Sequence, residues 1–225
     1  MPVAFARTVA FGRLVGVALP DAVDDVEALA AELPPEERAH ARTLLPARRV
    51  TWVGGRVALR AALADLGVVA PAILSTPRGA PLLPAGIAGS IAHKRTLAVA
   101  LAARTSGDVT LGVDVEIERA PRVDISPRVL TADERRRVDA LAAPARVREV
   151  LALFAAKEAV YKGLDPWLGR YVAFQEVELA RGADGALDAG FTPRAGEPAF
   201  VLEVHEETPF EGHVLMTARV HQRSG

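Results

Sequence analysis

The chain has 225 residues, 50% hydrophobic and 24% charged, enough to bury a core as one domain or two small ones and unlike a disordered or collagen-like composition. A formal net charge of −1 excludes a global basic field for holding nucleic acid or an anionic membrane, so any polyanion is bound locally. The absence of cysteine excludes disulfide staples, thiolate metal sites and cysteine nucleophiles together, and fits the cytoplasm.

From Val3 to Leu19 valine, phenylalanine and two glycines predict one or two strands. The apolar run Leu14 to Pro20 is shorter than a signal core, and no stretch approaches the ~20 unbroken apolar residues of a spanning helix. Pro34 and Pro35 open a helical segment over Glu36 to Leu45, with acids first and arginines later as a helix dipole favours. A second helix is predicted from Ala47 to Asp65, closed by Gly67. The stretch Pro71 to Gly89, with four prolines and three glycines, reads as irregular connection.

Thr96 to Ala103 and Val109 to Glu118 are apolar segments joined by Thr105-Ser106-Gly107-Asp108, the pattern of a hairpin. Thr131 and Glu134 form a capping box at the start of a charged helix near Ala132 whose arginines face water. Pro144 suits the first turn of a helix running to Lys162 and stopping at Gly163. Strands then follow at Tyr171 to Ala180, Ala186 to Phe191, Ala199 to His205 and His213 to Val220, with Asp184-Gly185 as a turn. Helices and strands thus fall in two comparable halves.

In Leu111 to Glu118 the alternation is clean, with Leu111, Val113, Val115 and Ile117 on one face and two or three carboxylates on the other. Next-but-one strand residues lie ~7 Å apart, so Asp114 and Glu116 can reach one hard cation through oxygen. An edge strand wetting its polar side explains the pattern equally well. Val150 to Lys162 is apolar nearly all round except Lys157, Glu158 and Lys162. An exposed Glu158–Lys162 pair would be worth only ~0.3–0.5 kcal/mol; in a buried helix a metal ligand at Glu158 is the better account of that charge. His93, after Gly89-Ser90-Ile91-Ala92, stands where a loop can present it to a phosphate, or is structural. Arg49, Arg56 and Arg60, seven and four apart, share a helical face, suited to an extended polyanion or to plain solvation. Gly54 and Gly55 inside that helix mark a close approach by something else.

Together these segments resemble the 4'-phosphopantetheinyl transferase superfamily, in particular its monomeric enterobactin-synthetase and surfactin-synthetase type, and within it the enterobactin type. The resemblance is carried by Gly112-Val113-Asp114-Val115-Glu116, by Phe154 to Lys162 with Lys157-Glu158 at its centre, by the histidine segment Gly89 to His93, and by Gly163 to Leu179. It implies an α/β (α+β) pseudo-dimer of two similar subdomains, residues 1–110 and 111–225, with the active site in the cleft between them. It implies Asp114, Glu116 and Glu158 as ligands of Mg2+, with Mn2+ as an alternative. It also implies Lys157, Lys162 and His93 as contacts to the phosphates of coenzyme A, and Arg56 as a contact near its 3'-phosphate. Ala92, Leu83 and Ala80 depart from residues common in the family, which bears on coenzyme affinity.

The implied reaction is attack by a serine of an acyl, peptidyl or aryl carrier protein on the β-phosphate of coenzyme A, with release of adenosine 3',5'-bisphosphate. Glu158 or a bound water would take the serine proton and Lys162 would relieve charge on the leaving phosphate. Siderophore, nonribosomal-peptide or polyketide synthesis is the implied setting, for a monomer in the cytoplasm. A metal-dependent phosphoester or pyrophosphate hydrolase, or a non-catalytic module binding coenzyme A or a carrier protein, are the alternatives. Arg135, Arg136 and Arg137 read as solvated helix or as a surface for an acidic carrier.

Overall fold

Apolar runs interrupted by tight turns dominate the first hundred residues, and they fold as a sheet backed by one long helix. The computed structural model describes residues 3–20, 24–182 and 186–223, and the chain divides into two compact units, Met1–Gly107 and Asp108–Gly225. In the first unit β1 (Val3–Val9) and β2 (Gly12–Ala18) form a hairpin. α1 (Asp24–Ala30), α2 (Pro35–Thr43) and α3 (Pro46–Asp65) follow, then β3 (Ile87–Lys94) and β4 (Leu97–Arg104), giving an antiparallel sheet of order β1-β2-β4-β3.

α3 lies directly on this sheet. A Cβ on Gly54 would stand 2.2 Å from a Leu19 methyl, and one on Gly55 would stand 2.7 Å from Ile91. The partner that those two glycines admit is therefore the unit's own sheet rather than a ligand. Val15, Val17, Ala58, Leu59, Ala62, Leu63, Ala100 and Ala102 close the core. α3 ends as its sequence predicts: Gly67 is left-handed at φ 66°, and Val68 N–H donates to Leu63 O at 2.9 Å.

The second unit has β5 (Thr110–Ile117), α4 (Ser126–Val129), α5 (Ala132–Asp139) and α6 (Ala143–Leu168), and then a 3-10 turn at Phe174–Glu176. β6 (Val177–Arg181), β7 (Leu187–Phe191), β8 (Phe200–Glu206) and β9 (His213–Gln222) complete an antiparallel sheet of order β5-β9-β8-β7-β6. The capping box forms in full: Glu134 N–H donates to Thr131 Oγ1 and Thr131 N–H to Glu134 Oε2. The predicted turn at Asp184-Gly185 lies outside the described residues.

Three expectations are corrected. β4 and β5 are not a hairpin, because both edges of β4 are taken by β2 and β3 while β5 pairs with β9; Thr105 to Asp108 instead joins the two units. His93 lies within β3, paired with Ala98, rather than on a loop, and that strand already begins at Ile87. α6 does not stop at Gly163 but runs to Leu168, with Gly169 as its left-handed cap. Gly163 is there for packing, since a Cβ would lie 2.6 Å from Val220. The extension is fixed by Thr110 Oγ1, which donates to Gly163 O at 2.5 Å and accepts from Trp167 Nε1 at 2.8 Å. Pro166 falls in the last turn, where its missing N–H leaves Lys162 O without its helical donor.

Candidate active site

The acids of β5 sit on the face of the sheet that α6 covers. A Cβ on Gly112 would lie 1.8 Å from Ala159 O, so strand and helix meet backbone to backbone at that point. Asp114 and Glu116 follow on the same face, opposite Met216 and Val214 of β9. Each is 8% exposed, which rules out an edge strand wetting its polar side. Glu118 lies beyond the strand, exposed, with Arg148 Nε at 3.5 Å.

Lys162, nearly one helical turn after Ala159, extends its ammonium to Asp114 Oδ1 at 2.7 Å and to Val113 O at 2.9 Å. Its bonds run to the strand rather than to Glu158, so the simple helical pair is not formed. Asp114 Oδ2 is buried with no hydrogen-bond partner. A buried carboxylate oxygen without a donor carries a desolvation cost of about 1–3 kcal/mol or more, so it marks a place where a partner is expected. Glu158 is half-buried on α6, adjacent in sequence to the Gly112–Ala159 contact. Among the described residues no three acidic or histidine side chains are drawn together as a ready cation cluster; in their place stands the Asp114–Lys162 ion pair. A buried carboxylate oxygen without a donor is nevertheless the kind of hard oxygen that a cation such as Mg2+ prefers.

Lys157 is a correction. Its ammonium is wholly enclosed and donates to Glu134 Oε2 at 2.7 Å, Val129 O at 2.9 Å and Phe174 O at 2.9 Å. All three donors of an ammonium are thereby used, and none remains for a pyrophosphate. Burial pulls its pKa below the ordinary lysine value, with Glu134 opposing. Glu134 also accepts from Leu179 N–H at 2.8 Å, so one buried pair ties α5, α6 and β6 together.

In the first unit Arg49, Arg56 and Arg60 of α3 do not form a solvated stripe. Arg49 bonds Glu27 at 2.6 Å and Ala41 O at 3.1 Å. Arg60 is bound to the fully buried Glu37 and to Pro71 O. Arg56, 4% exposed, donates to Ile73 O at 2.6 Å, Leu74 O at 3.2 Å and Ser75 Oγ at 2.8 Å, and lies over the Trp52 ring at 4.4 Å. Burial lowers its pKa to about 10, Glu37 opposing and the charges of Arg48 and Arg60 adding to the fall. Arg49 and Arg60 are thus committed to holding their own unit together. Among the described residues Arg56 Nη1 takes no protein acceptor.

His93 Nε2 lies 2.8 Å from Arg48 Nη1. A guanidinium can only donate, so Nε2 accepts and the ring proton sits on Nδ1. Arg48 was absent from the residues singled out by sequence, because it falls off the face shared by Arg49, Arg56 and Arg60. Its proximity to a histidine on a neighbouring strand was the missing signal. Arg135, Arg136 and Arg137 bond within their own unit, to Asp139, Asp133 and the Glu178–Leu179 segment respectively; Arg137 is therefore tied to β6 rather than simply solvated.

Comparison with known proteins gives a consistent set of likenesses. The family model described as "4'-phosphopantetheinyl transferase N-terminal domain" matches residues 36–103, and that described as "4'-phosphopantetheinyl transferase superfamily" matches residues 110–218. The 4'-phosphopantetheinyl transferase Svp of Streptomyces mobaraensis is 35% identical over 196 residues, 87% of this chain and 77% of Svp. The 4'-phosphopantetheinyl transferase Npt of Nocardia iowensis is 31% identical over 184 residues, 79% of this chain and 81% of Npt. Enterobactin synthase component D of Salmonella typhi is 34% identical over 117 residues, 51% of this chain and 47% of that protein.

Proposed function

Since the chain belongs to the 4'-phosphopantetheinyl transferase superfamily, we propose that it moves the phosphopantetheine arm of coenzyme A onto a serine of an apo carrier protein and releases adenosine 3',5'-bisphosphate. The serine oxygen bonds to the β-phosphorus, the bridging P–O bond breaks with its electrons on the leaving 5'-phosphate, and the serine proton passes to a base. A neutral hydroxyl is a poor nucleophile and the pyrophosphate is strongly anionic, so the site must supply a proton acceptor and positive charge.

Asp114, Glu116 and Glu158 are the residues proposed to hold Mg2+, with Mn2+ as an alternative. When bound, the cation would neutralise charge on the phosphate oxygens. Glu158 is proposed to take the serine proton. Lys162 spends two of its donors on Asp114 and Val113 and keeps a third for the leaving phosphate. In the first unit Arg48, His93 and the uncommitted nitrogen of Arg56 are proposed to meet anionic groups of the coenzyme. Lys157, Arg49 and Arg60 have no part in this assignment.

The observation that carries the reading is Asp114 itself, with one oxygen on Lys162 and the other buried without a partner. No helix among the described residues is long and apolar enough to cross a membrane, and a monomer acting in the cytoplasm on acyl, peptidyl or aryl carriers is the proposed setting. The test is to incubate the protein with an apo carrier protein, coenzyme A and Mg2+. The carrier serine should gain one phosphopantetheine arm by mass, with one bisphosphate released per arm; EDTA should stop the reaction and Mg2+ or Mn2+ restore it. Release of free phosphopantetheine without carrier modification would mean a hydrolase, and coenzyme binding with neither product would mean a binding module.

A further inference from the structure

The two oxygens of Asp114 stand in opposite circumstances, and Lys162 is the cause. Oδ1 accepts from the Lys162 ammonium at 2.7 Å, and the same ammonium donates to Val113 O at 2.9 Å. That carbonyl belongs to the residue preceding Asp114, so the cation is fastened to the strand that carries the carboxylate and cannot drift away from Oδ1. The residue is 8% exposed, and Oδ2 is the only one of its two oxygens left for a ligand.

Carboxylates bind cations through one oxygen or through both. Ca2+ takes ~6–8 oxygens at ~2.3–2.6 Å and readily accepts both oxygens of one carboxylate, whereas Mg2+ demands six at ~2.0–2.1 Å. An ammonium on Oδ1 opposes the two-oxygen mode twice over: it takes up one of that oxygen's two lone pairs, and it places a like charge beside any ion that approaches it.

We propose that Lys162 confines Asp114 to ligation through Oδ2 alone, and so makes the site select a small six-coordinate cation such as Mg2+ or Mn2+ over Ca2+. The inference rests on the reading of Asp114 as a metal ligand and assigns a selectivity-determining role to a lysine expected only to meet phosphate.

The test measures binding without turnover. The full chain is titrated with Mn2+, free Mn2+ being followed by electron paramagnetic resonance, and the bound ion is then competed off with Mg2+ or Ca2+ in the absence of coenzyme A. In the native protein Mg2+ should displace Mn2+ better than Ca2+ does; in Lys162→Met the Mg2+-over-Ca2+ preference should shrink by about tenfold. Lys162→Arg, which keeps a cationic donor for Oδ1, should retain most of it. An unchanged preference in a folded Lys162→Met protein would overturn the inference while leaving the metal reading intact, whereas failure of the native protein to bind Mn2+ would remove the metal reading itself. Should Lys162→Met not fold, infrared difference spectra of native protein carrying 13C-labelled aspartate give the answer. The wide splitting of carboxylate stretches typical of one-oxygen ligation is expected on adding Mn2+, and the narrow splitting of the two-oxygen mode would refute the proposal.

Discussion

Lys157 and Lys162 stand five residues apart on one helix and lead opposite lives. Lys157 is closed: its three donors are spent, its partner Glu134 is fully buried, and Glu134 in turn accepts from Thr131 and Leu179. Lys162 is open: it has bonds to Asp114 and Val113, a quarter of its side chain is exposed, and its carboxylate partner retains an unpaired oxygen. A saturated buried pair can specify a fold but has nothing left to offer a substrate. An unsaturated pair at the strand–helix contact leaves one carboxylate oxygen for a further partner, which is what the proposed function gives it.

The comparison breaks first at Glu158. Glu158→Gln should leave the thermal unfolding midpoint close to native while lowering the carrier modification rate by about 10²–10⁴-fold; near-native turnover would remove Glu158 from the chemistry. Lys157→Met tests the closed pair. It strands Glu134 as a buried unpaired charge and should cost about 3–5 kcal/mol in denaturant unfolding. Adding Glu134→Leu should recover part of that loss, whereas a destabilisation below ~1 kcal/mol would mean the pair is solvated. Lys162→Met should change stability by at most ~1 kcal/mol, because its pair is partly exposed, yet reduce transfer strongly; the reverse ranking of the two lysines would invert the comparison.

Gly112→Ala is expected to cost less stability than Lys157→Met but to be sharper in meaning. Its Cβ would meet Ala159 O at 1.8 Å, pushing helix from strand at an overpacking cost of about 1–3 kcal/mol, and Mn2+ affinity should fall with it. The smallest effect is electrostatic and distant from the site. Arg170 holds Glu197 down to about 2, from 4.5 in the unfolded chain. A depressed carboxylate pKa means stability that is complete above pH 4.5 and is lost as the pH falls toward 2. Arg170→Met should flatten that part of the acid-unfolding profile and leave neutral-pH activity alone.

How much of this was legible depends on what each signal can see. Alternation along Leu111 to Ile117, the capping box at Thr131 and the apolar helix containing Glu158 are local patterns, and each formed in the segment expected, although the helix runs past its expected stop. The false hairpin between β4 and β5 used equally local cues, but strand pairing is decided by which edges are free, and β4 had none. Gly163 looked like a stop because a glycine that ends a helix and one that lets a neighbour approach read alike. Lys157 was readable in retrospect: it lies three, four or seven residues from Val150, Leu153, Val160 and Leu164, all in the core of its unit. The neighbouring Glu158 drew it into the same chemical reading, although the two side chains leave the helix about 100° apart.

The continuation of α6 to Leu168 has a consequence of its own. Terminal helical turns fray, opening and closing far more often than the middle of the element. Had the helix ended at Gly163, the ammonium of Lys162 would ride on such a turn and wander with it. Because Thr110 pins the segment through Gly163 O and the Trp167 indole, Lys162 sits more than a turn inside the protected region, and the amide protons around it should exchange with solvent as slowly as those of the buried core.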